Sequence, residues 1–484
     1  MRDSLLRLTN FIDGDYCAPL SGAWLPVTEP ATGQVYAEVP DSGAADIDAA
    51  VAAAQRAQRG WAATAPSARA AMLRRIADLI ESQLDAFAEE ESRDSGKPVH
   101  VARSVDIPRA VSNFRFFASM AESFASESHV GEVGTLNYTL RQPLGIVGCI
   151  SPWNLPLYLL TWKIAPALAA GNCVIAKPSE ITPVTAWLLG EIVQQAGLPP
   201  GVLAIVHGSG PRCGQPLVAH PKIKAISFTG STATGAAIAS ATTTQFKKLS
   251  LEMGGKNATV VFADCDFERT VAECVRAAFS NQGQICLCGS RILVERPLLA
   301  RFREAFVERV RQLRVGDPRN PQSDIGALVS AAHRDKVESY IALAHEEGGR
   351  LLTGGERVAV EGRCANGYFL APTVFDHLDA HCRVNQEEIF GPVATITAFD
   401  DEAQALAYAN STRYGLAASV WTQDLSRAHR VAAELEAGVV WINCWMARDL
   451  RTPFGGVKHS GLGREGGLDG MRFFTEPKNV SLRV

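Results

Sequence analysis

The sequence has no hydrophobic run near its start that could form a signal-peptide core or cross a bilayer. Residues 1–10 mix charged, polar and apolar side chains. A secretory signal needs an apolar core of about 7–15 residues, and a transmembrane helix needs about 20. We therefore expect no membrane partner and a cytoplasmic location.

The sequence also lacks an excess of either charge. It carries 47 lysines and arginines against 51 aspartates and glutamates, a net charge of −4, with the two signs interspersed. Proteins that bind nucleic acids present clusters or stripes of positive charge, so we expect no nucleic-acid partner. The hydrophobic fraction of 47% and the charged fraction of 20% are ordinary for a globular protein. A small-molecule enzyme fits this composition better.

Cysteine is present without the spacing of a disulfide framework. The chain has 11 cysteines, scattered singly apart from Cys286 and Cys288. An odd and irregular set is typical of reduced thiols in the cytosol. A C-x-C pair without a nearby histidine or a second pair is poor zinc spacing, so we expect no metal site.

At 484 residues the chain is too long for one compact core, and two or three domains are expected. Up to about residue 250, strand patterns alternate with helix patterns. This alternation predicts a parallel sheet with helices on both faces, a doubly wound α/β domain. The predicted helices are two between 43 and 90, then 162–170, 183–195 and 234–242. The predicted strands are 145–150, 173–176, 202–206 and 223–228.

A second α/β rhythm begins near Leu249. Its predicted strands are 257–262, 290–295, 394–399 and 439–443. Its predicted helices are 267–279 and 298–315. We therefore expect a domain boundary at residue 250, with one domain formed by 1–120 and 142–250 and another by 251–442.

Two short alternating strands, 137–141 and 480–484, have no evident partner in either predicted sheet. Strands left unpaired within one chain often pair with another protomer. We therefore assign 121–141 and 465–484 to oligomerisation and expect a homodimer or a homotetramer.

Two glycine patterns could bind phosphate groups. The first, 461–466, matches G-x-G-x-x-G but does not follow a predicted strand, so we interpret it as a turn with chance spacing. The second, 230–235, directly follows strand 223–228 and opens a helix, where free N–H groups and the helix dipole suit a pyrophosphate. Its glycine spacing is not that of the usual dinucleotide fingerprint, and a tight βα turn is an equal alternative.

Six short motifs place chemically active residues near turns or strand ends. They are PWN (152–154), FTGS (228–231), LEMGGK (251–256), NQGQIC (281–286), EEIFGP (387–392) and PFGG (453–456). In content and order they resemble the aldehyde dehydrogenase superfamily, and the resemblance covers essentially the whole chain. It implies an α/β fold with a Rossmann-like NAD-binding domain, an α/β catalytic domain and a small β oligomerisation element.

The resemblance implies a role for three of these residues. An aldehyde must first add a thiolate before it can lose its hydrogen as hydride, and Cys286 is the implied nucleophile. The Asn154 amide and the Cys286 N–H would form the oxyanion hole. Glu252 would activate the water that hydrolyses the thioester, because a buried carboxylate can have a pKa near neutrality.

The resemblance also implies a site for NAD. Lys177 and Glu180 are expected at the adenosine ribose, where an acid repels a 2′-phosphate and favours NAD over NADP. Other residues are expected to flank the nucleotide, to let the protein backbone approach it closely, or to hold the nicotinamide ribose. These residues are Trp153, Phe228, Ser231, Gly210, Glu388 and Phe390.

Within the superfamily, four stretches resemble the 2-aminomuconic and 2-hydroxymuconic semialdehyde dehydrogenases. They are 106–109, 113–117, 282–291 and 443–456. Such substrates carry a carboxylate remote from the aldehyde, and arginine binds carboxylates through two parallel hydrogen bonds. The resemblance implies Arg109 and Arg448 as the matching arginines. Arg451 is a third candidate, whereas Arg115 is interpreted as a solvated surface charge.

The expected reaction is therefore the NAD-dependent oxidation of a small-molecule semialdehyde, 2-aminomuconate 6-semialdehyde. Alternatives are a 2-hydroxymuconic semialdehyde dehydrogenase and a general aliphatic or betaine aldehyde dehydrogenase. Two further alternatives are a CoA-acylating relative and a member retired to a structural role. Glu252 argues against the first of these, and the intact set of Cys286, Glu252 and Asn154 argues against the second.

Overall fold

The computed structural model describes residues 5–483, and the ends of the predictions for 1–120 and 480–484 lie outside these residues. It contains two large sheets, of eight and seven strands, and three small ones. In the described part of the chain, no helix has both the length and the apolarity to span a bilayer.

The eight-stranded sheet lies in the first half of the chain, as predicted. Its five central strands are parallel, and the short strands at both edges are antiparallel. From one edge to the other, the strands are Gly461–Leu462, Lys248–Glu252, Ile223–Thr229, Ile146–Ile150, Cys173–Lys177, Leu203–Ile205, Asn10–Ile12 and Asp15–Cys17. All four strands predicted for this region are confirmed, and their apolar runs are buried because helices cover the sheet.

The helices of this half bury the apolar residues of the first core. They are Ala44–Ala63, Pro66–Ser82, Leu84–Ser95, Val99–Val101, Ile107–Ser123, Pro156–Ala169, Val184–Ala196, Gln215–Ala219 and Thr232–Thr242, with π-helical turns at Ala102–Asp106 and Gly210–Gly214 and a 3-10 turn at Thr243–Gln245. The prediction of two helices between 43 and 90 is wrong, since three are present. The break falls at Gln83, which leaves the helical conformation (φ −113°, ψ 22°) without a glycine or proline to signal it.

The seven-stranded sheet is parallel apart from one antiparallel edge strand. Its order is Arg350–Thr353, Thr373–Asp376, Val393–Phe399, Arg291–Glu295, Ala258–Val261, Ala417–Trp421 and Val439–Ile442. Its helices are Phe267–Phe279, Leu299–Arg311, Ala331–Glu346, Arg383–Gln386, Glu402–Asn410 and Leu425–Glu434, with 3-10 turns at Ser280–Gly283, Arg296–Leu298 and Gly362–Cys364. The helix predicted to reach residue 315 ends at Arg311, and the segment to 325 continues as a loop with an isolated bridge.

The boundary expected at residue 250 needs a correction. Strand Lys248–Glu252 pairs in parallel with Ile223–Thr229, with Phe228 opposite Leu251 and Thr229 opposite Glu252. Leu251 and Glu252 therefore belong to the first sheet, because the strand continues across the expected boundary. The division of labour between the two α/β units stays a prediction.

The two strands without evident partners pair with each other. Thr135–Pro143 and Thr475–Arg483 form an antiparallel pair, and Ser128–Val130 adds a third strand. Helix Gly467–Phe473 occupies the start of the range 465–484, so only its second part is a strand. The remaining strands form two further small sheets: Leu6–Arg7, Trp24–Glu29 and Gln34–Pro40, and Tyr414–Gly415 with Val457–Lys458.

Candidate active site

Three neighbouring parallel strands end at one cavity of about 220 Å³. The loops that follow Ile146–Ile150, Ile223–Thr229 and Lys248–Glu252 form one wall, and residues from the seven-stranded half form the other. The lining residues are Pro152, Trp153, Asn154, Thr229, Gly230, Ser231, Met253, Gly254, Cys286, His333, Lys336, Glu388 and Phe390. Ligands of open α/β sheets bind at this carboxyl edge.

The turn before Cys286 has an uncommon backbone. Asn281, Gln282 and Gly283 are successive left-handed residues, with φ of 52°, 58° and 70°. Each non-glycine residue in this conformation costs about 1–2 kcal/mol, so contacts must hold the turn. The Gln282 amide donates to the Ala327 carbonyl at 3.1 Å, and the Asn281 amide donates to the Gln284 carbonyl at 3.2 Å.

The Asn154 side chain is aimed by the same turn. Its Nδ2 donates one hydrogen to the Gln284 carbonyl at 2.9 Å. An amide group has two N–H bonds, and Asn154 also lines the cavity that contains Cys286. The second N–H is therefore available to an oxygen bound beside the thiol.

Burial keeps Cys286 in its thiol form. Burial, with smaller contributions from the nearby carboxyl groups of Glu388 and Glu252, raises the pKa of Cys286 to about 12. The guanidinium of Arg448 acts in the opposite direction. At neutral pH the free protein therefore holds a protonated thiol that must lose its proton before it can attack.

Glu252 is a carboxyl with little support from its surroundings. It is 3% exposed, and neither carboxyl oxygen has a hydrogen-bond partner in the described part of the chain. Burial raises the pKa of Glu252 well above its ordinary value, and the charge of Glu465 adds to this, whereas Lys163, Arg464 and Arg448 oppose it. The cavity wall includes Met253 and Gly254 but not Glu252 itself.

A buried ion pair lies within electrostatic range of Glu252. The Lys163 ammonium donates to the Glu465 carboxylate at 2.7 Å and to the Ser227 hydroxyl at 3.2 Å. Since both charged partners are buried, solvent screens their effect on Glu252 only weakly. Neither residue was singled out by the sequence motifs.

Two arginines flank the aromatic ring of Tyr158. The guanidinium carbons of Arg109 and Arg448 lie 5.5 Å and 5.6 Å from the ring centre, and Arg448 donates a hydrogen bond to the Tyr158 hydroxyl. Arg448 also lies 4.3 Å from the ring centre of Phe454. Within residues 5–483, neither arginine forms an ion pair with a carboxylate. This cluster therefore has excess positive charge.

The family profile for aldehyde dehydrogenases matches residues 18–480. This chain belongs to the aldehyde dehydrogenase family. The family resemblance and the fold expected from the sequence are confirmed.

Relatives of this aldehyde dehydrogenase extend over its full length. It is 50% identical to a 2-aminomuconic semialdehyde dehydrogenase of Danio rerio, over 99% of this chain and 98% of the relative. It is 46% identical to a 2-hydroxymuconic semialdehyde dehydrogenase of Pseudomonas sp. strain CF600, over 99% and 100%. The solved structure of PnpE, a protein of Pseudomonas sp. WBC-3, in complex with nicotinamide adenine dinucleotide is also similar, with 41% identity, a TM-score of 0.97 and coverage of 99% and 98%.

Four of the residues expected at the cofactor line the cavity of this aldehyde dehydrogenase: Trp153, Ser231, Glu388 and Phe390. Glu388 accepts a hydrogen bond from the Gly255 N–H at 3.0 Å. A Cβ atom at Gly254 would lie 2.0 Å from the other Glu388 oxygen, so any other residue there would displace the Glu388 carboxylate. Trp153 packs edge-on against Phe390 at 5.3 Å.

The other expected cofactor residues lie outside the lining of that cavity. Lys177 donates to Glu180 at 3.0 Å, and Gly210 opens a π-helical turn whose Gly214 lies close to the Lys177 side chain. Phe228 is also absent from that lining, and its contact with the cofactor stays a prediction. Its ring is 4% exposed and packs in the core under Gly230, where a Cβ atom would lie 2.4 Å away, so the ring supports the loop from below.

Two cavity residues were missed by the sequence motifs. His333 and Lys336 lie on helix Ala331–Glu346, three residues apart and therefore on one face. His333 shares a hydrogen bond with the Phe390 carbonyl at 2.7 Å, and Lys336 donates to the Glu388 carbonyl at 3.2 Å. The N-cap Ser330 was the available signal for this helix.

The arginines divide into two groups. Arg109 and Arg448 are brought together at Tyr158, whereas Arg451 is 80% exposed and pairs with Asp449 at 2.5 Å. Arg451 is therefore not part of this cluster, because its charge is solvated and already neutralised. Arg115 pairs with Asp78 and Glu81 at the surface, which agrees with its interpretation as a solvated charge.

Proposed function

We propose that this aldehyde dehydrogenase oxidises a carboxylated semialdehyde, 2-aminomuconate 6-semialdehyde, with NAD and through a thioester on Cys286. The observation that carries the substrate class is the pair of arginines at Tyr158 without a carboxylate partner in the described residues. Half-buried positive charges of this kind need an anion. The names of the relatives support the same substrate class.

The first step is the addition of the Cys286 thiolate to the aldehyde carbon, after the thiol proton has passed to solvent. The carbonyl oxygen then becomes an alkoxide. The free N–H of the Asn154 amide and the Cys286 N–H, which makes no other hydrogen bond in the described chain, can both donate to it. Such donors in a partly dry cavity stabilise developing charge strongly.

NAD, when bound, would supply the hydride acceptor, and loss of the aldehyde hydrogen as hydride would leave a thioester on Cys286. Glu252 then takes a proton from the water that attacks the thioester carbon, and the acid product leaves with Cys286 restored. Its raised pKa suits a base that works near neutrality. Since no hydrogen bond holds either oxygen, the side chain can turn toward the cavity without breaking one.

Several features of the cavity fit a dinucleotide. Glu388 is held by Gly255 with its second oxygen facing Gly254, and helix Thr232–Thr242 begins at the cavity with a free N-terminal turn apart from the cap Ser231. Glu180 is a partly exposed acid beside Lys177, which suits ribose hydroxyls and opposes a 2′-phosphate. NAD-bound relatives support this cofactor.

The cofactor preference is tested by steady-state kinetics with both nucleotides. We expect kcat/KM for NAD to exceed that for NADP by about tenfold or more, corresponding to at least about 1.4 kcal/mol. Glu180→Gln should narrow the difference. Equal values of kcat/KM in the parent protein would contradict the assignment of Glu180.

The substrate is tested by a panel followed through NADH absorbance. The panel contains 2-aminomuconic and 2-hydroxymuconic semialdehydes generated in situ, an uncharged aldehyde of similar length, and betaine aldehyde. We expect the carboxylated semialdehydes to have the highest kcat/KM and betaine aldehyde the lowest, because two arginines repel a cation. The 2-hydroxymuconic substrate is the second candidate, since a relative at 46% identity bears that name. A general aliphatic preference would refute the role of the arginines.

The small three-stranded sheet supports a homodimer or homotetramer. Five of its apolar side chains are exposed, which is unusual for a strand surface in contact with water only. They are Val130, Leu136, Tyr138, Leu140 and Leu482. Light scattering should give a multiple of 51.9 kDa, and a species of that mass alone would contradict the proposal.

All 11 cysteines are free thiols, which supports a cytoplasmic location.

A further inference from the structure

The main-chain carbonyl of Asn154 is bound by two buried donors from other parts of the chain. The Lys97 ammonium donates to it at 3.1 Å, and the Asn281 amide donates to it at 3.2 Å. Both donors are shielded from solvent, and the Lys97 side chain has no exposed surface. The Asn154 residue is therefore fixed at its carbonyl as well as at its side-chain amide.

Lys97 is a cation that the first motifs did not include and that the proposed mechanism does not use. Its ammonium contacts the Asp106 carboxylate and lies 4.0 Å from a Glu91 oxygen. The other Glu91 oxygen accepts a hydrogen bond from the Thr185 hydroxyl at 2.8 Å. A charge without solvent is retained only where partners compensate for its desolvation, and here the partners also define its position.

Asp106 connects this cation to the arginine cluster. It ends the π-helical turn Ala102–Asp106, and the next residue begins helix Ile107–Ser123, which carries Arg109 in its first turn. Single π-helical turns inside helices are frequent at functional sites. One ammonium therefore contacts both the loop of Asn154 and the turn that starts the helix of Arg109.

We propose that Lys97 is a positioning residue whose ammonium, together with the Asn281 amide, clamps the Asn154 carbonyl so that the side-chain amide points at the substrate oxygen. This inference rests on the proposed oxyanion role of Asn154. Two restraints on the carbonyl and one on Nδ2 leave the amide little freedom to rotate. Small displacements of a catalytic donor are costly in rate, so the clamp acts on thiolate addition and hydride transfer rather than on NAD binding.

The clamp is tested first through Asn281, because its removal leaves no buried charge without a partner. Asn281→Gly keeps the left-handed backbone that Asn281 adopts and removes only the amide. Gln282→Gly is the control, since Gln282 is also left-handed and loses a buried amide contact, to Ala327, whereas Asn281→Gly loses the contacts to Asn154 and Gln284. The measured quantity is the single-turnover rate of NADH formation at saturating NAD.

We expect Asn281→Gly to lower the single-turnover rate by about tenfold or more, with NAD affinity and melting temperature close to those of Gln282→Gly. The control should lose less than about threefold, the effect of a neighbouring structural amide. Equal losses in the two variants would overturn the clamp, because the effect would then come from the turn alone.

A double-mutant cycle with Asn154→Ala tests whether the clamp acts through that residue. If it does, Asn281→Gly should cost little in the Asn154→Ala background, because the donor that it aims is already absent. Multiplicative losses would overturn the clamp while leaving the oxyanion role intact. An unchanged rate in Asn154→Ala alone would overturn the oxyanion role itself, and the clamp with it.

Lys97 is tested with the same single-turnover measurement through two variants of the full-length protein, Lys97→Met and Lys97→Arg. Lys97→Met should lower the single-turnover rate for charged and uncharged aldehydes alike, in a folded protein that still binds NAD. Lys97→Arg, which keeps the charge with a different reach, should recover part of the rate. A folded Lys97→Met variant with an unchanged rate would overturn the assignment of Lys97.

Discussion

The site has a reaction end, formed by Cys286, Asn154 and Glu252, and an arginine end, formed by Arg109, Tyr158 and Arg448. At the reaction end, burial raises the pKa values of the thiol and the carboxyl and so favours their neutral forms. At the arginine end, two guanidinium groups lie against Tyr158 without a carboxylate partner in the described chain. Negative charge develops at the reaction end during the reaction, whereas the arginine end binds the negative charge that the substrate already carries.

The two ends also differ in how they are built. The reaction end depends on the ends of parallel strands and on main-chain hydrogen bonds, which suit any aldehyde. The arginine end depends on side chains from helices Ile107–Ser123 and Pro156–Ala169 and from the loop with Arg448. Segment 154–158 joins them, since it carries both Asn154 and Tyr158. Chemistry and substrate choice should therefore be separable by mutation.

The largest expected effect is at the nucleophile. Cys286→Ala should abolish oxidation of every aldehyde, because no thioester can form, while fluorescence titration still detects NAD binding. The melting temperature should stay near that of the parent protein. Residual turnover close to the parent rate would mean that the reaction does not pass through Cys286.

The next effect is at the general base. Glu252→Gln should allow hydride transfer once and then stall, because the acyl group on Cys286 is no longer hydrolysed. Intact-protein mass spectrometry after addition of substrate and NAD should show the adduct. The double variant Cys286→Ala, Glu252→Gln serves as the control without an attachment site. Lost activity without an adduct would give Glu252 an earlier role.

The pH dependence follows from the same carboxyl. A base must be deprotonated, and burial raises the pKa of Glu252 well above its ordinary value. Hydrolysis of the thioester should therefore slow as pH falls through that raised pKa. The ratio of kcat/KM for carboxylated and uncharged aldehydes should stay flat between pH 6 and pH 9, approximately the range in which guanidinium and carboxylate remain charged. If this ratio instead changes over the pH range in which Glu252 titrates, the reaction end and the arginine end are coupled.

Removal of either arginine should affect one class of substrate only. Each charge-assisted contact contributes about 1.5–3 kcal/mol, so Arg109→Ala and Arg448→Ala should lower kcat/KM for a carboxylated semialdehyde by about tenfold to a hundredfold. An uncharged aldehyde of similar length should be nearly unaffected by Arg109→Ala, and affected much less than the carboxylated one by Arg448→Ala, whose charge also lowers the pKa of Cys286 and Glu252. Arg451→Ala is the matched control, because that exposed side chain pairs with Asp449. Parallel losses for both substrates would make the arginines structural.

The reaction end was largely predictable from the sequence, and the reason is local. Asn154, Glu252 and Cys286 each lie in a short motif near a turn or strand end, and parallel strands bring their carboxyl ends to one edge. The direction of a side chain is not local. Phe228 turns into the core because Gly230 leaves room for its ring, and no motif distinguishes this from a ring that faces the cofactor.

The parts that sequence reasoning missed depend on long-range contacts. His333 and Lys336 lie on a helix between the predicted elements, and only the fold brings them to Glu388 and Phe390. Arg448 and Arg451 are three residues apart, yet one is oriented by Tyr158 and the other by Asp449. Lys97 reaches Asn154 across 57 positions of the chain.

The smallest expected effect separates the two contributions of Tyr158 at the arginine end. Its hydroxyl accepts a hydrogen bond from Arg448, and its ring lies between the two guanidinium groups. Tyr158→Phe removes the hydroxyl and keeps the ring, so Arg448 loses one fixed contact but keeps its packing. A typical hydrogen bond contributes about 0.5–1.5 kcal/mol, which corresponds to a loss of about two- to tenfold in kcat/KM for a carboxylated semialdehyde.

This loss should appear mainly in KM, because the hydroxyl orients the arginine that binds the remote carboxylate and does not touch the reacting carbon. In an Arg448→Ala background, Tyr158→Phe should then cost little, since the group that it orients is gone. An uncharged aldehyde should show the parent kcat and KM in the Tyr158→Phe variant. If kcat for the uncharged aldehyde falls instead, Tyr158 acts on Asn154 through segment 154–158, and the two ends are coupled through the main chain that joins them.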